Sequence, residues 1–305
     1  MSIVRQSAGL VAALAIGSAI AFPTHLTLYA GVSLGINWLV ALVHAIPNKS
    51  ELFFDITGSI TFVTLSVLVA WLTFPDDSDG VALYRSLGSS LLVIVWAIRL
   101  GSFLFGRIRA DGNVDSRFVE IRVLPLRFFS VFSLQALWVL ICLLPVLLLQ
   151  TSPQSSVVCV WDIVGPLLFV IGLTLEVTAD AQKTAFRANP ANKDRFITTG
   201  LWRYSRHPNY FGEILLWLGI AVLSIPQLPS LSFQLVASLS PIFSFLLLTF
   251  VSGVPQLESK GDAKWGDDKE YLAYKNGTSA LVPWFPAPAP LANSGTTYGS
   301  TNAEV

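Results

Sequence analysis

Eight apolar stretches, each close to twenty residues long, constrain this chain more than any other feature. They run at roughly 5–22, 26–46, 53–74, 83–105, 128–150, 158–180, 208–225 and 231–252. A hydrocarbon layer about 30 Å thick takes about 20 residues of helix to cross, and lipid offers an irregular backbone no hydrogen-bond partner. The expected fold is all-α, a polytopic bundle of about eight transmembrane helices. Pro23, Pro47, Pro75, Pro153 and the Pro226/Pro229 pair fall between stretches, where a missing amide donor does least harm. Pro145, Gly165-Pro166 and Gly172 lie inside stretches, which membrane helices tolerate when neighbours satisfy the freed groups. The first stretch has a second reading. Arg5 followed by an apolar run ending Ala19-Ile20-Ala21 is also the pattern of a cleavable signal peptide, which would leave seven spans in the same orientation.

Composition supports the membrane reading. The chain is 53% hydrophobic and only 12% charged, where about a quarter of a soluble domain is charged. Nineteen Lys and Arg balance nineteen Asp and Glu, so no bulk field draws the chain to nucleic acid, and none is expected as a partner. Cys142 and Cys159 sit in apolar stretches and form no CxxC, so neither a disulfide framework nor a metal site is expected.

Lys and Arg set the expected sidedness, because retained cytoplasmic loops carry the excess positive charge. Arg5, Lys49, the 106–127 loop, the 181–207 loop and the segment with Lys260, Lys264, Lys269 and Lys275 all fall on one side. The other side keeps Arg85 alone, beside the acidic run Asp76-Asp77-Ser78-Asp79. Both termini are therefore expected in the cytoplasm, which leaves the sequons at Asn48 and Asn276 unglycosylated. Past residue 286 the chain is small and polar, and 287–305 reads as a disordered tail.

Charges within spans cost several kcal/mol unless paired or wet. Asp55 and Asp162 open their spans and read as helix starts meeting the headgroups. Arg99, Glu176, Asp180 and Glu213 differ, since all four fall at the cytoplasmic ends of the fourth, sixth and seventh spans. Glu176 and Asp180 are four apart on one helical face and repel one another unless a cation or polar ligand stands between them. Two readings follow: a structural ion cluster of end residues, or a polar pocket opening to the cytosol. With charges gathered at one face and none at mid-span, an ion path through the bilayer is disfavoured.

The densest polar segment is Thr199-Gly200-Leu201-Trp202-Arg203-Tyr204-Ser205-Arg206-His207-Pro208-Asn209-Tyr210-Phe211-Gly212-Glu213. Its Trp, Tyr and Arg suit an interfacial anchor. Yet Arg206, His207, Asn209, Tyr210 and Glu213 also crowd a cation, a ring donor, an amide, a phenol and a carboxylate around one helix N-terminus, where a phosphate group is a natural occupant.

These residues, with Trp96-Ala97-Ile98-Arg99-Leu100-Gly101, Asp115-Ser116-Arg117, Leu175-Glu176-Val177-Thr178-Ala179-Asp180-Ala181-Gln182-Lys183, Leu257-Glu258, Tyr271, Tyr274 and Val282-Pro283-Trp284-Phe285, carry a resemblance over roughly 90–286. The chain resembles the steroid 5-alpha-reductase C-terminal superfamily of membrane reductases, and within it the DUF1295 branch. The resemblance implies N-terminal transmembrane helices over 1–90 and a reductase-like domain over 91–286 that holds NADPH from the cytosolic side. A hydrophobic small molecule or lipid would arrive through the bilayer for reduction of a C=C bond. In a eukaryote it implies the endoplasmic reticulum. Carried over by position, Asn209, Tyr210 and Glu213 match the Asn-Tyr-x-Gly-Glu cofactor signature, and Arg206 and His207 the shared Arg-His. Tyr271, Tyr274 and the Val-Pro segment match the tail that closes over the nucleotide. Arg99, Lys183 and Glu258 join the implied cofactor set; Arg99 and Lys183 are the candidate phosphate partners, while Glu176 and Asp180 are candidates for ribose or amide hydrogen bonds. The Glu and Tyr that polarise the substrate carbonyl in steroid reductases have no counterpart in 1–90, so the catalytic acid is unassigned. A bare Arg-His-Pro-x-Tyr is shared with isoprenylcysteine carboxyl methyltransferases, which makes an S-adenosylmethionine-dependent membrane methyltransferase the alternative. A scaffold without cofactor is the third reading, against which the density of hydrogen-bonding groups argues.

Overall fold

The computed structural model describes residues 3–74, 80–110 and 112–285. The expected disordered tail and the acidic connection at 76–79 lie outside them. The described residues are helical, with no strand among them, and eight helices are long and apolar enough to cross a membrane. These are α1 (Ile3–Ala21), α2 (Thr27–Asn48), α3 (Phe54–Leu72), α4 (Gly80–Ala110), α5 (Pro125–Thr151), α6 (Trp161–Ala188), α7 (Pro208–Gln227) and a last run, Leu231–Trp265. That run contains α8 (Leu231–Leu246), a π turn (Leu247–Val251) and α9 (Val254–Trp265), and α10 (Lys269–Gly277) follows. The chain is a multi-pass membrane protein, as its apolar stretches require. Several helices outrun those stretches: α4 continues to Ala110 and α6 to Ala188, so their basic ends stay helical beyond the apolar length.

The fold divides into two compact units, Met1–Leu173 with Glu213–Leu246, and Thr174–Gly212 with Leu247–Val305. In the first, α5 is central: 83% of its most apolar window is buried, against 11% for α1. Buried Leu140, Leu143, Leu144, Leu147 and Phe169 join a cluster of interlocked rings from Phe62, Trp96 and Trp217. Gly165 and Gly219 let α6 and α7 approach backbone to backbone. A Cβ on Gly219 would stand 2.6 Å from both the Gly165 carbonyl and the Phe169 nitrogen. Close approach of this kind is how membrane helices gain packing without a hydrophobic drive between them.

Asp162 departs from the headgroup-facing start expected of it. It is buried, and its carboxylate takes Arg85 Nε at 2.7 Å and Nη2 at 2.8 Å. The same guanidinium donates to the carbonyls of Ser155 and Val157, and Cys159 N caps the carboxylate at 2.8 Å. A lone cation on the side poor in positive charge is thus neutralised inside the protein. Asp55 also has a partner, Arg117 at 3.2 Å, which bonds Asp115 at 2.7 Å. Glu51, beside it, takes Arg122 at 3.2 Å and the Asp115 amide at 2.7 Å. The Asp115-Ser116-Arg117 run is therefore what ties the 112–124 loop to the start of α3.

Candidate functional site

The second unit gathers most of the sequence-predicted residues. The extension of α6 presents Glu176, Asp180 and Lys183 in successive turns, a spacing that keeps them near one face. Glu176 and Asp180 are buried. The chain then returns to α6 through a short turn at Gly200–Arg203. Gly200 has φ +63°, a left-handed backbone that favours glycine, and a Cβ there would press on the end of the Gln182 side chain at 2.4 Å. Gln182 Oε1 accepts the Leu201 amide at 2.9 Å, and the buried Trp202 ring donates Nε1–H to the Ala179 carbonyl at 3.0 Å. Lys183 Nζ sits 4.4 Å from the centre of that ring.

The turn delivers Ser205, Arg206 and His207 to the tail. Glu258 on α9 takes Arg206 Nε and His207 Nε2, both at 2.9 Å, on the same carboxylate oxygen. Arg206 Nη1 donates to the carbonyls of Lys275 and Thr278. Lys275 Nζ lies 3.4 Å from Glu258 and 2.5 Å from Asp262. The guanidinium that sequence reasoning offered to a phosphate is thus engaged in closing the tail. Tyr271 and Tyr274 serve the same closure. Tyr271 donates to Asp262 at 3.1 Å, Tyr274 to the Trp202 carbonyl at 2.6 Å, and the Phe196 ring lies against both. Asp268 starts α10 by accepting the Glu270 and Tyr271 amides, an N-cap that sets both tyrosines in place. Burial pushes the Tyr274 phenol well up, so it remains a donor at any physiological pH.

His207 and Asn209 have polar atoms left over. Burial lowers the His207 pKa, with Lys183 and Arg206 adding to the effect against the opposing pull of Glu258. The ring is therefore neutral near pH 7. Because an ionised carboxylate can only accept, the Nε2 contact with Glu258 assigns the proton to Nε2 and leaves Nδ1 an acceptor. Nδ1 is buried and has no partner. Asn209 Nδ2 donates to Asp180 Oδ1 at 3.2 Å, which fixes the amide and leaves Oδ1 buried without a partner too. Tyr210 stacks on the His207 ring at 5.6 Å and 10°. Two acceptors, each oriented by a carboxylate on its other side, are thus left without an N–H or O–H donor.

Arg99 and Glu213 belong to the first unit. Arg99 lies on α4 with its guanidinium 5.1 Å from the Phe103 ring centre, and Glu213 is one turn after Asn209 along α7. Sequence reasoning passed over Gln182, Ser205, Asp262 and Phe196 as separate contributors. Gln182 carried a usable signal, since it stands in the same quoted run as Asp180 and Lys183. Asp262 carried none, because its role depends on α10 folding back beside α9.

Among curated proteins, the chain is 26% identical over 165 residues to the Uncharacterized protein C594.04c of Schizosaccharomyces pombe, covering 46% of this chain and 48% of that one. It is 35% identical over 60 residues to the Probable O-methyltransferase ustE of Ustilaginoidea virens, covering 20% of this chain and 21% of that protein. The chain thus spans about half the length of the first and a fifth of the second. No solved structure matches it. Residues 38–278 match the family described as Protein of unknown function (DUF1295), and with most of its length inside that match the chain belongs to this family.

Proposed function

We propose that this protein is an integral membrane oxidoreductase that draws NADPH from the cytosol and reduces a C=C bond of a lipid-soluble substrate. The observation that carries the reading is the pair of buried, unsatisfied acceptors, His207 Nδ1 and Asn209 Oδ1, beside Asp180. A dinucleotide fits them, because its carboxamide, amino and hydroxyl groups are donors of the kind these atoms lack. Leaving such atoms dry and unpaired costs about 1–3 kcal/mol each. Lys183 and Arg187, one turn apart on α6, are the cations that would meet its phosphates.

When bound, NADPH supplies a hydride. The chain's own residues then have three tasks. Asp180 holds the Asn209 amide so that its oxygen faces the ligand. Glu258 holds His207 in the tautomer that accepts at Nδ1. The tail, pinned by Arg206 and Tyr274, covers the polar groups and limits water at the reacting centre. Glu176 and Tyr210 remain expected cofactor contacts, Arg99 and Glu213 carry that expectation from the family resemblance alone, and the proton donor to the substrate is unassigned. The positive-charge distribution supports a cytoplasmic placing of both termini, and the family resemblance implies the endoplasmic reticulum in a eukaryote.

The second reading is an S-adenosylmethionine-dependent methyltransferase. The 60-residue likeness to a probable O-methyltransferase favours it, and buried Glu176 and Asp180 would suit a cationic ligand. Thermal denaturation of purified protein separates the two. A ligand at one hundred times its Kd stabilises by about 2.7 kcal/mol, which at about 2–4 °C per kcal/mol raises the midpoint by roughly 5 °C or more. We expect that rise with NADPH and none with S-adenosylmethionine, and its loss in Asn209→Leu. The reverse pattern replaces the first reading by the second.

A further inference from the structure

The unit that holds the tail also presents an aromatic patch to the outside. Trp284 is 71% exposed and Phe285 82%, with Val282 beside them in the chain and Tyr204 against them in space, both also exposed. This surface is built rather than loose. The Trp284 amide donates to the Tyr204 carbonyl at 2.9 Å, Ser205 Oγ to the Leu281 carbonyl at 2.7 Å, and the Arg206 amide to the Ser279 carbonyl at 2.9 Å. The Phe285 ring meets Tyr204 edge-on at 6.4 Å. Arg203, exposed, adjoins Tyr204.

Tyr204 is four residues before Pro208, the first residue of α7. Four residues reach at most about 14 Å, so the patch stays near the level at which that span leaves the hydrocarbon. Contiguous exposed aromatics are unusual on a solvated surface. Trp and Tyr with an adjacent Arg are the side chains that settle at the boundary between headgroups and acyl chains, ring in the apolar layer and polar edge or cation toward phosphate.

We propose that residues 282–285 and Tyr204 form a membrane-surface anchor, seated in the bilayer leaflet from which α7 starts. Phe285 and Val282 enter the acyl boundary, Trp284 and Tyr204 lie at the headgroups, and Arg203 faces lipid phosphate. The bilayer is the occupant because the patch continues directly from a spanning helix. The same hydrogen bonds that fix the patch engage the Ser205 hydroxyl and the Arg206 amide, so seating it in lipid holds the tail against the 203–207 turn. The anchor does not depend on which cofactor, if any, the protein binds.

Depth-dependent quenching tests it. In Cys159→Ser protein, where the remaining Cys142 is fully buried, an environment-sensitive fluorophore is placed by Trp284→Cys, Phe285→Cys or, as an exposed control on the turn after α9, Asp267→Cys. Reconstitution into nanodiscs with lipid bearing a nitroxide near the headgroup should quench the first two by about half or more and the control by under about a tenth. A label at 284 or 285 quenched no more than the one at 267 overturns the proposal, whether a second copy or another protein covers the patch. Unlabelled protein gives an independent measure. The tryptophan emission of the wild type minus that of Trp284→Phe should be quenched by lipid brominated at a shallow position, and an unquenched difference spectrum also overturns the anchor.

Discussion

Neutralising Asp162 should destabilise the protein far more than neutralising Asp55, although both open a spanning helix in the sequence. The Arg85 and Asp162 side chains are 0% and 3% exposed. In Asp162→Asn the guanidinium keeps the Ser155 and Val157 carbonyls but loses its counter-charge, and an uncompensated buried charge costs about 3–5 kcal/mol. In Asp55→Asn, Arg117 is 40% exposed and retains Asp115, so the loss is about 1 kcal/mol or less. The double variant Arg85→Met/Asp162→Leu removes both charges yet strands the Ser155 and Val157 carbonyls and the Cys159 amide. Its cost should fall below the sum of the Arg85→Met and Asp162→Leu losses, a sign that the two positions are coupled. Unfolding in mixed micelles, titrated with dodecyl sulfate and followed by tryptophan emission, ranks the variants. Equal losses for Asp162→Asn and Asp55→Asn, or additive losses in the double variant, would refute the buried-pair reasoning.

Gly219→Ala should cost about 1–3 kcal/mol from overpacking, because its Cβ would meet backbone on α6, whereas Gly31→Ala, with nothing within 4 Å, should leave the melting midpoint unchanged or raised. Acid should weaken the protein through His207. Its folded pKa is depressed, so as pH falls through the unfolded value of about 6.5 the unfolded chain takes up the proton first and stability drops. His207→Gln should show a shallower loss between pH 7 and pH 5 in thermal melts. Tyr210→Phe and Glu213→Gln should each lower NADPH affinity in calorimetry while leaving the helical circular dichroism intact, and wild-type affinity in both would remove those residues from the site. Expression in a glycosylating membrane system should leave Asn48 and Asn276 unmodified, since glycan on either would invert the orientation read from Lys and Arg.

The number of spanning helices was legible in the linear chain, because the requirement behind it is local. Any segment crossing hydrocarbon must satisfy its own backbone and be apolar for about 20 residues, and eight segments meet that condition without reference to one another. Much of the candidate site was legible for a related reason. Arg206 to Glu213 and Glu176 to Lys183 concentrate hydrogen-bonding groups where lipid packing has no use for them. What those groups do was not legible. That Arg206 closes the tail, that Glu258 serves Arg206 and His207 with one oxygen, and that His207 Nδ1 and Asn209 Oδ1 are left wanting donors all follow from segments about 30 to 70 residues apart meeting in space. The Arg85 and Asp162 partnership, 77 residues apart, is of the same kind. Hydrophobic length is written along one helix, whereas pairing depends on how helices cross and in what register, and those are properties of the packed protein alone.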